Sequence, residues 1–264
     1  MKIGFIGFGN MAAAIAGGMI QYGGFNAQDI IVSARDIEKL KLRAQQMGVN
    51  YTTMNQLVAK EADVLFLAVK PYMIIEVIRE IKADLRPETI VVSVAAGVEI
   101  KDIEEAFATP VKLMRALPNT PALVGEGMTL YNCNTMISTE DEETVLNLFE
   151  GFGIYEKIDE SKFAGAGSMT GCSPAFLYML MEAMADAAVL EGLQRDKAYV
   201  LAAQTVKGAA QMLLSTGIHP GELKDMVTSP GGTTIEGVRT LEKLGFRSAI
   251  MEAIIAASEK TGKK

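Results

Sequence analysis

The sequence has few of the residues that usually carry acid–base and metal chemistry. In 264 residues there is one histidine, His219, and there are two cysteines and no tryptophan. A histidine-rich metal site, a Ser-His-Asp triad or a paired-histidine catalyst would each need more than this, so no metal is expected. Two cysteines cannot build a disulfide framework, and no secretory signal is evident, which together indicate a cytoplasmic protein.

The chain also lacks excess positive charge and long apolar runs. Lys and Arg number 25 against 32 Asp and Glu, for a net charge of −7. Nucleic acid is therefore not an expected partner, and the interrupted apolar stretches predict no membrane span. With 49% apolar and 22% charged residues, the length indicates an ordinary globular protein of about two domains.

From residue 1 to 160, short β-branched runs alternate with amphipathic stretches. Strands are expected at 2–7, 30–34, 64–69, 90–94 and 111–117, and helices at 11–22, 37–47, 72–83 and 100–107, with 128–132 and 154–157 extending the sheet. This alternation predicts an α/β fold, a doubly wound parallel sheet of the Rossmann type with helices on both faces.

From residue 161 to 264 the apolar residues recur with helical period, which predicts an all-α second domain of about five helices. The helix 174–190 is too apolar for a thin bundle to cover. We interpret it as a subunit interface of a homodimer, with intrachain core as the alternative.

A glycine-rich turn follows the first strand directly. Its sequence is Gly7-Phe8-Gly9-Asn10-Met11-Ala12, the G-x-G-x-x-A pattern in strand–turn–helix context. Gly7 suits the tight turn, Gly9 lets the backbone approach a pyrophosphate, and Ala12 allows close packing of helix on strand. A dinucleotide site is the interpretation, and a glycine turn without a ligand is its alternative.

The end of the second strand decides between NAD(H) and NADP(H). An NAD site places an acidic residue there, whereas this chain reads Val32-Ser33-Ala34-Arg35-Asp36, with the acid late. A hydroxyl and a guanidinium suit a 2′-phosphate, so NADPH is favoured, with NADH as the alternative cofactor. Arg35 as a merely solvated helix-start residue is the competing interpretation.

Two glycine-bearing segments in the helical half, 165–174 and 229–234, come before predicted helices. Helix starts leave N–H groups unpaired, so each segment is a candidate site for a substrate carboxylate. Because a protonated imine already carries positive charge on its C=N bond, hydride can reach it with orientation and one hydrogen-bonding group, for which Thr234 or Ser229 would suffice.

Two other classes remain open from the residues alone. A hydroxyacid dehydrogenase would share the layout but would need a lysine on the helix after its second glycine segment, and none stands near Ser173-Pro174-Ala175. A protein that binds NADP(H) without turnover would use both loops only as helix caps. His219, just before Pro220-Gly221, is interpreted as structural rather than catalytic.

Four segments together resemble pyrroline-5-carboxylate reductase over nearly the whole chain. They are Gly4 through Met11, Phe66 through Pro71, the run Arg115-Ala116-Leu117-Pro118-Asn119-Thr120-Pro121, and Leu223 through Thr234 with its Pro-Gly-Gly-x-Thr element. Before the long helix the chain departs from the family's Ser-Gly-Ser-Gly-Pro-Ala, reading Thr-Gly-Cys172-Ser-Pro-Ala, so Cys172 is expected to be a small buried residue.

The resemblance implies NAD(P)H-dependent reduction of L-1-pyrroline-5-carboxylate to L-proline, the last step of proline biosynthesis, by a homodimer that joins through its helical domain and assembles further into a ring of dimers. It places cofactor contacts on Ile6, Gly7, Phe8, Gly9, Asn10, Met11, Ser33, Arg35, Asn55, Ala68, Val69, Lys70, Pro71, Ala95, Ala96 and Gly97. It places the substrate on Ser229, Gly231, Gly232, Thr233 and Thr234, with Thr234 and Ser229 in the catalytic roles and Thr234 bonded to the ring nitrogen.

Overall fold

The computed structural model describes residues 1–262. By its internal contacts the chain forms two compact units. The first runs from Met1 to Gly171 and includes the end of the last helix from Ser258 onward, and the second runs from Cys172 to Ala257.

The first unit is the expected alternation of strands and helices. Its strands are β1 Ile3–Ile6, β2 Ile30–Ser33, β3 Asn50–Thr52, β4 Val64–Leu67, β5 Ile90–Ser93, β6 Lys112–Leu117, β7 Gly127–Cys133 and β8 Gly153–Lys157. Its helices are α1 Asn10–Gln21, α2 Ile37–Met47, α3 Asn55–Glu61, α4 Ile74–Ile81, α5 Ile100–Phe107 and α6 Thr139–Glu150, with short 3₁₀ turns at Ala27–Asp29, Pro71–Met73, Thr120–Val124 and Glu160–Lys162.

The eight strands form one sheet in the order β3-β2-β1-β4-β5-β6-β7-β8. Strands β1 to β6 are parallel, β7 runs antiparallel to β6, and β8 is parallel to β7. The strand order reverses between β1 and β4, and ligands of doubly wound sheets bind at such a switch point, outside the carboxyl ends of the strands. The predicted Rossmann-type fold class is confirmed.

Continuous apolar strands produce this sheet because both of its faces are buried. In β4, Val64 and Phe66 join the core on one face while Leu65 and Leu67 join the core on the other. The Phe5 ring of β1 stacks on the Phe66 ring with 4.7 Å between centroids. Burial on both faces removes the alternation of apolar and polar residues, so these strands read as runs.

Five helices follow, as predicted. They are α7 Phe163–Leu190, α8 Arg195–Thr216, α9 Pro220–Met226, α10 Thr233–Lys243 and α11 Phe246–Gly262. In the second unit many large apolar side chains are exposed in the single chain, for example Met179 at 67%, Leu214 at 68% and Met251 at 62%. A solvated surface of this kind needs a partner to cover it.

One expectation about this half was wrong. Residues 165–174 do not form a loop that introduces a helix, because they lie inside α7, with Pro174 in the helix interior. The segment is therefore not an anion site at a helix start. Small residues serve packing instead: a Cβ on Gly167 would lie 2.9 Å from Leu117 Cδ1, and Asn119 Nδ2 donates to the Thr170 carbonyl at 3.0 Å. Cys172 in this stretch is only partly buried.

Candidate functional site

The turn from β1 to α1 has the geometry of a phosphate-binding loop. Gly7 has φ +88°, and a Cβ there would lie 2.7 Å from Val69 Cγ1 and 2.8 Å from the Ala68 carbonyl carbon. A Cβ on Gly9 would meet nothing within 4 Å among the described residues. Only glycine fits at position 7 for steric reasons, whereas at position 9 glycine keeps an open approach to the backbone.

The first turn of α1 is left free for an anion. Gly9 is its N-cap residue, with no side-chain capping bond and no acidic residue in the first turn among the residues described. Unpaired N–H groups and the positive end of the helix dipole therefore face the space beside Gly9.

A cleft of about 710 Å³ extends from this turn along the carboxyl ends of β1, β4 and β5. It brings together most of the sequence-predicted cofactor residues: Ile6, Gly7, Phe8, Gly9, Asn10, Met11, Arg35, Asn55, Ala68, Val69, Lys70, Pro71, Ala95 and Ala96. Gly97 lines a neighbouring cavity of about 830 Å³ that shares Pro71 and Ala96 with this cleft.

Ser33 is placed differently from the other predicted cofactor residues. Its side chain is fully buried at the end of β2, and its hydroxyl donates to Asn55 Oδ1 at 2.7 Å. Asn55 in turn donates from Nδ2 to Glu80 Oε2 at 2.9 Å. Ser33 thus holds the Asn55 amide, which lines the cleft, from behind.

Three basic side chains, Arg35, Lys39 and Arg43, form a row along the cleft, and only Arg35 among them was identified from the sequence. Lys39 and Arg43 stand one turn apart on α2, follow Arg35 at intervals of four, and line the same cleft. Arg43 donates from Nη1 to the Phe8 carbonyl at 3.0 Å and from Nη2 to Asn10 Oδ1 at 3.1 Å, tying α2 to the glycine turn. The helical spacing of these cations was the signal that could have revealed the row.

Asp36, the only acid in the run from Val32 to Asp36, serves the helix. Its Oδ1 accepts the Lys39 N–H at 3.2 Å as the N-cap of α2, and its Oδ2 lies 3.1 Å from Lys39 Nζ. The backbone hydrogen bond from Lys39 and then that residue's ammonium hold the pKa of the Asp36 carboxyl below its usual range. The ionised Asp36 carboxylate thus caps α2, and it comes three residues after the end of β2, where an NAD site would place an acid for the ribose.

The features of this unit fit a phosphorylated dinucleotide. The Gly9 opening and the α1 N-terminus suit the pyrophosphate, and the cations beyond β2 suit a further phosphate. Small residues at the ends of β4 and β5 leave room along the cleft between them.

The Arg115 side chain anchors the last strand of the parallel part. It is 5% exposed, its Nη1 donates to Glu160 Oε1 at 2.6 Å, and its guanidinium lies 4.5 Å from the centre of the Phe163 ring. Glu160 Oε1 also accepts the Ile100 N–H at 2.8 Å. This network joins β6, α5 and the start of α7, so this motif residue is structural in the described chain.

The second glycine-rich segment precedes α10 in the helical unit. Gly232 is the N-cap of α10 without a side-chain capping bond in the described structure, and its N–H donates to the Ser229 carbonyl at 3.0 Å. A Cβ on Gly232 would lie 2.4 Å from Ser229 Oγ, and both Ser229 and Thr234 are exposed. This segment, unlike 165–174, does present a helix start.

His219 caps a different helix. Its Nδ1 accepts the Gly221 N–H at 3.1 Å, and it is the N-cap residue of α9. The expected position just before a helix start is confirmed, and the ring's bond is to backbone.

Comparisons with known proteins match this chain over nearly its full length. The family model described as pyrroline-5-carboxylate reductase dimerisation matches residues 160–264, and the model described as NADP oxidoreductase coenzyme F420-dependent matches residues 2–97. The pyrroline-5-carboxylate reductase of Escherichia coli (strain K12) is 48% identical over 262 residues, covering 99% of this chain and 97% of that protein.

Solved structures give the same result. A pyrroline-5-carboxylate reductase from Coxiella burnetii superposes with a TM-score of 0.89 at 34% identity, covering 98% of this chain and 97% of that one. The Plasmodium falciparum pyrroline carboxylate reductase, solved with NADP bound, superposes with a TM-score of 0.88 at 32% identity, covering 99% of this chain and 97% of that one.

Proposed function

The chain belongs to the pyrroline-5-carboxylate reductase family, and on that premise we propose how its residues reduce L-1-pyrroline-5-carboxylate to L-proline with NADPH. The observation that carries the proposal is the cleft that begins at Gly9 and is lined by the strand-end segments of β4 and β5. Because the chain is 48% identical to a pyrroline-5-carboxylate reductase over nearly its full length, this function is favoured over a hydroxyacid dehydrogenase and over a protein that binds NADP(H) without turnover.

NADPH, when bound, supplies the hydride. The glycine turn and the first N–H groups of α1 would hold its pyrophosphate, and the segments Ala68 to Pro71 and Ala95 to Gly97 would line the space for its nicotinamide half. Arg35, which follows β2, would hold the 2′-phosphate. Asn55, fixed by Ser33 and Glu80, offers its amide to the ribose side of the cleft.

The substrate is held by the segment before α10. Its carboxylate accepts hydrogen bonds from the first N–H groups of α10, beginning at Thr233 and beside Gly231, because Gly232 provides no side-chain cap and its own N–H is bonded to the Ser229 carbonyl. Thr234 Oγ1 accepts a hydrogen bond from the protonated ring nitrogen, and Ser229 shapes the turn. Hydride addition converts this C=N⁺–H group into the secondary amine of proline, which keeps the same proton on nitrogen, so no separate acid is required.

The test is NADPH oxidation on addition of 1-pyrroline-5-carboxylate, followed by the loss of nicotinamide absorbance, with Thr234→Ala beside wild type. We expect turnover in wild type and a lower kcat in the variant. The activation free energy should rise by about 2–4 kcal/mol, because one positioned hydrogen bond to the transition state is lost.

Thr240→Ala is the matched control for Thr234→Ala, since Thr240 lies on the same helix and its hydroxyl donates to the Glu236 carbonyl of that helix at 2.9 Å. NADPH affinity should be unchanged in both variants. An unaltered kcat in Thr234→Ala would show that this hydroxyl takes no part in the reaction, and no turnover in wild type would overturn the assigned reaction.

The protein forms a homo-oligomer through its helical half, which is the dimerisation segment of the family. Within residues 1–262, one helix, Glu160–Leu190, is long and apolar enough to cross a membrane by length and composition. It lies within the dimerisation match, so its apolar surface is that of a subunit interface.

We propose that the cofactor-binding segment ends at residue 160 and that the dimerisation segment begins at residue 161. We also propose that the protein acts in the cytoplasm and that its dimers assemble further into a ring. The exposed apolar side chains of α8, α10 and α11 support additional subunit contacts. Light scattering coupled to size exclusion tests the assembly, and a particle no larger than a dimer would contradict the ring.

A further inference from the structure

Two exposed ion pairs stand at the outer end of the cofactor cleft. Arg35 Nη2 lies 3.5 Å from Glu76 Oε2, which reaches over from α4, and Lys39 Nζ lies 3.1 Å from Asp36 Oδ2. The Arg35 and Glu76 side chains are 71% and 72% exposed, and the Lys39 side chain is 87% exposed. All four residues line the cleft.

Pairs as exposed as these hold their cations weakly, because water screens the attraction and each long side chain loses rotamer freedom. A phosphate monoester carries up to two negative charges and three strong acceptor oxygens, so it can take both cations from their carboxylates at small cost. Arg43 differs, because its guanidinium is already bonded to the Phe8 carbonyl and the Asn10 side chain.

The opposing carboxylates are not equivalent. Asp36 is held by the backbone of α2 whether or not Lys39 leaves it, because its Oδ1 caps the helix. Glu76 has no such role in α4, where it lies in the first turn and reaches across the cleft to Arg35. Once Arg35 turns to a phosphate, the Glu76 charge remains beside a group of the same sign and opposes it.

We propose that Lys39 is the second cation of the 2′-phosphate subsite beside Arg35, and that Glu76 is its opposing charge, so that these two residues set the preference of this chain for NADPH over NADH. The inference rests on the proposed function, since it concerns the cofactor of that reaction. Lys39 and Glu76 are thus assigned roles in specificity and not in catalysis, because the 2′-phosphate lies in the part of NADPH that does not react.

The test measures dissociation constants by titration calorimetry for NADPH and NADH, and for 2′,5′-ADP against 5′-AMP. The variants are Lys39→Gln, Lys39→Arg and Glu76→Gln. Lys41→Gln is the control, since Lys41 is an exposed lysine on the same helix that does not line the cleft. The adenosine phosphates carry no nicotinamide, so their binding reports on the subsite even if the imine is not reduced, and imine turnover tests the proposed function separately.

Lys39→Gln removes one charge-assisted contact at an exposed site. We expect the dissociation constants of NADPH and 2′,5′-ADP to rise by about five- to twentyfold, and those of NADH and 5′-AMP to change by less than about twofold. Lys39→Arg should restore the preference. Glu76→Gln should lower the dissociation constant of NADPH by about two- to fivefold, and this effect should become smaller as salt is added. Lys41→Gln should leave all four constants unchanged.

Equal losses for NADPH and NADH in Lys39→Gln would overturn the proposal, because they would indicate a disturbed helix rather than a lost phosphate contact. Unchanged NADPH binding in that variant would overturn it as well. Weaker NADPH binding in Glu76→Gln would show that Glu76 positions Arg35 for the phosphate instead of opposing it, which contradicts the assigned role.

Discussion

The two glycines of the turn between β1 and α1 allow the effects of a substitution on stability and on cofactor binding to be measured separately. Gly7 and Gly9 belong to one motif, yet the structure assigns them different constraints: position 7 is confined by Val69 and Ala68, and position 9 is open. Alanine at the two positions should therefore produce opposite phenotypes.

For Gly7→Ala the cost falls on stability. The left-handed conformation of φ +88° costs an L-residue about 1–2 kcal/mol, and a methyl forced against Val69 and the Ala68 backbone adds about 1–3 kcal/mol. We expect the free energy of unfolding to fall by about 2–5 kcal/mol.

For Gly9→Ala the cost falls on the cofactor. Its backbone has φ −80° and ψ −165°, which alanine adopts without strain. The lower entropy of the unfolded chain favours alanine whereas the N-cap position disfavours it, so the free energy of unfolding should change by no more than about 1 kcal/mol in either direction. The new methyl occupies the space needed for close approach of the pyrophosphate, so NADPH should bind at least about tenfold more weakly.

Urea unfolding followed by far-ultraviolet circular dichroism, which needs no tryptophan, measures stability at a fixed protomer concentration. Calorimetry measures NADPH binding. Gly17→Ala is the control, because Gly17 lies in α1 and its added methyl would make only ordinary contacts, at 3.6 Å from Leu123 and 3.7 Å from Met47. Wild-type stability in Gly7→Ala would contradict the steric role of Gly7, and wild-type NADPH affinity in Gly9→Ala would contradict close approach of the pyrophosphate at Gly9.

Two further predictions concern structural networks. Arg115→Ala should lower the free energy of unfolding by about 3–5 kcal/mol, because it leaves the Glu160 carboxylate without its buried partner, and a loss below about 1 kcal/mol in urea titrations would contradict the anchoring role. The hydrogen bond from Lys157 holds the pKa of the Glu142 carboxyl below its ordinary value of 4.5 in the folded chain, so the stability from this pair is present above pH 4.5 and is lost as the pH falls through the lowered pKa. Urea midpoints measured on both sides of that window should fall more steeply towards acid in wild type than in Lys157→Met, and parallel pH profiles would show that the pair contributes nothing.

The sequence was most informative where structure is decided by neighbours along the chain. Fully apolar runs such as 64–67 became central strands, and the glycine turn formed where its pattern stands. Strand β3 and helices α3 and α6 were missed. β3 is a three-residue edge strand whose first two residues, Asn50 and Tyr51, are exposed, so it lacks the apolar run that marked the others.

The site was predictable at its centre and less so at its rim. The segments at the ends of β1, β4 and β5 were found because strand ends of a parallel sheet meet at one edge. Lys39 and Arg43 were overlooked, although their helical spacing from Arg35 was visible in the sequence. The buried hydrogen bond of Ser33 could not have been predicted, because its partner Asn55 follows β3, a strand that the sequence did not reveal.

Local sequence patterns were enough to predict the alternation of elements, the glycine turn and the family, since each depends on short-range patterns of apolarity, glycine and proline. The helical conformation of residues 165–174 depends on long-range contacts, because Gly167 and Thr170 pack on Leu117 and Asn119, residues far away in the chain. Tertiary structure also decided which charges face the cofactor cleft, because Glu76 meets Arg35 only when α4 and the end of β2 are brought together by the sheet. Packing between distant segments can outweigh local propensity, and no pattern of neighbouring residues carries that information.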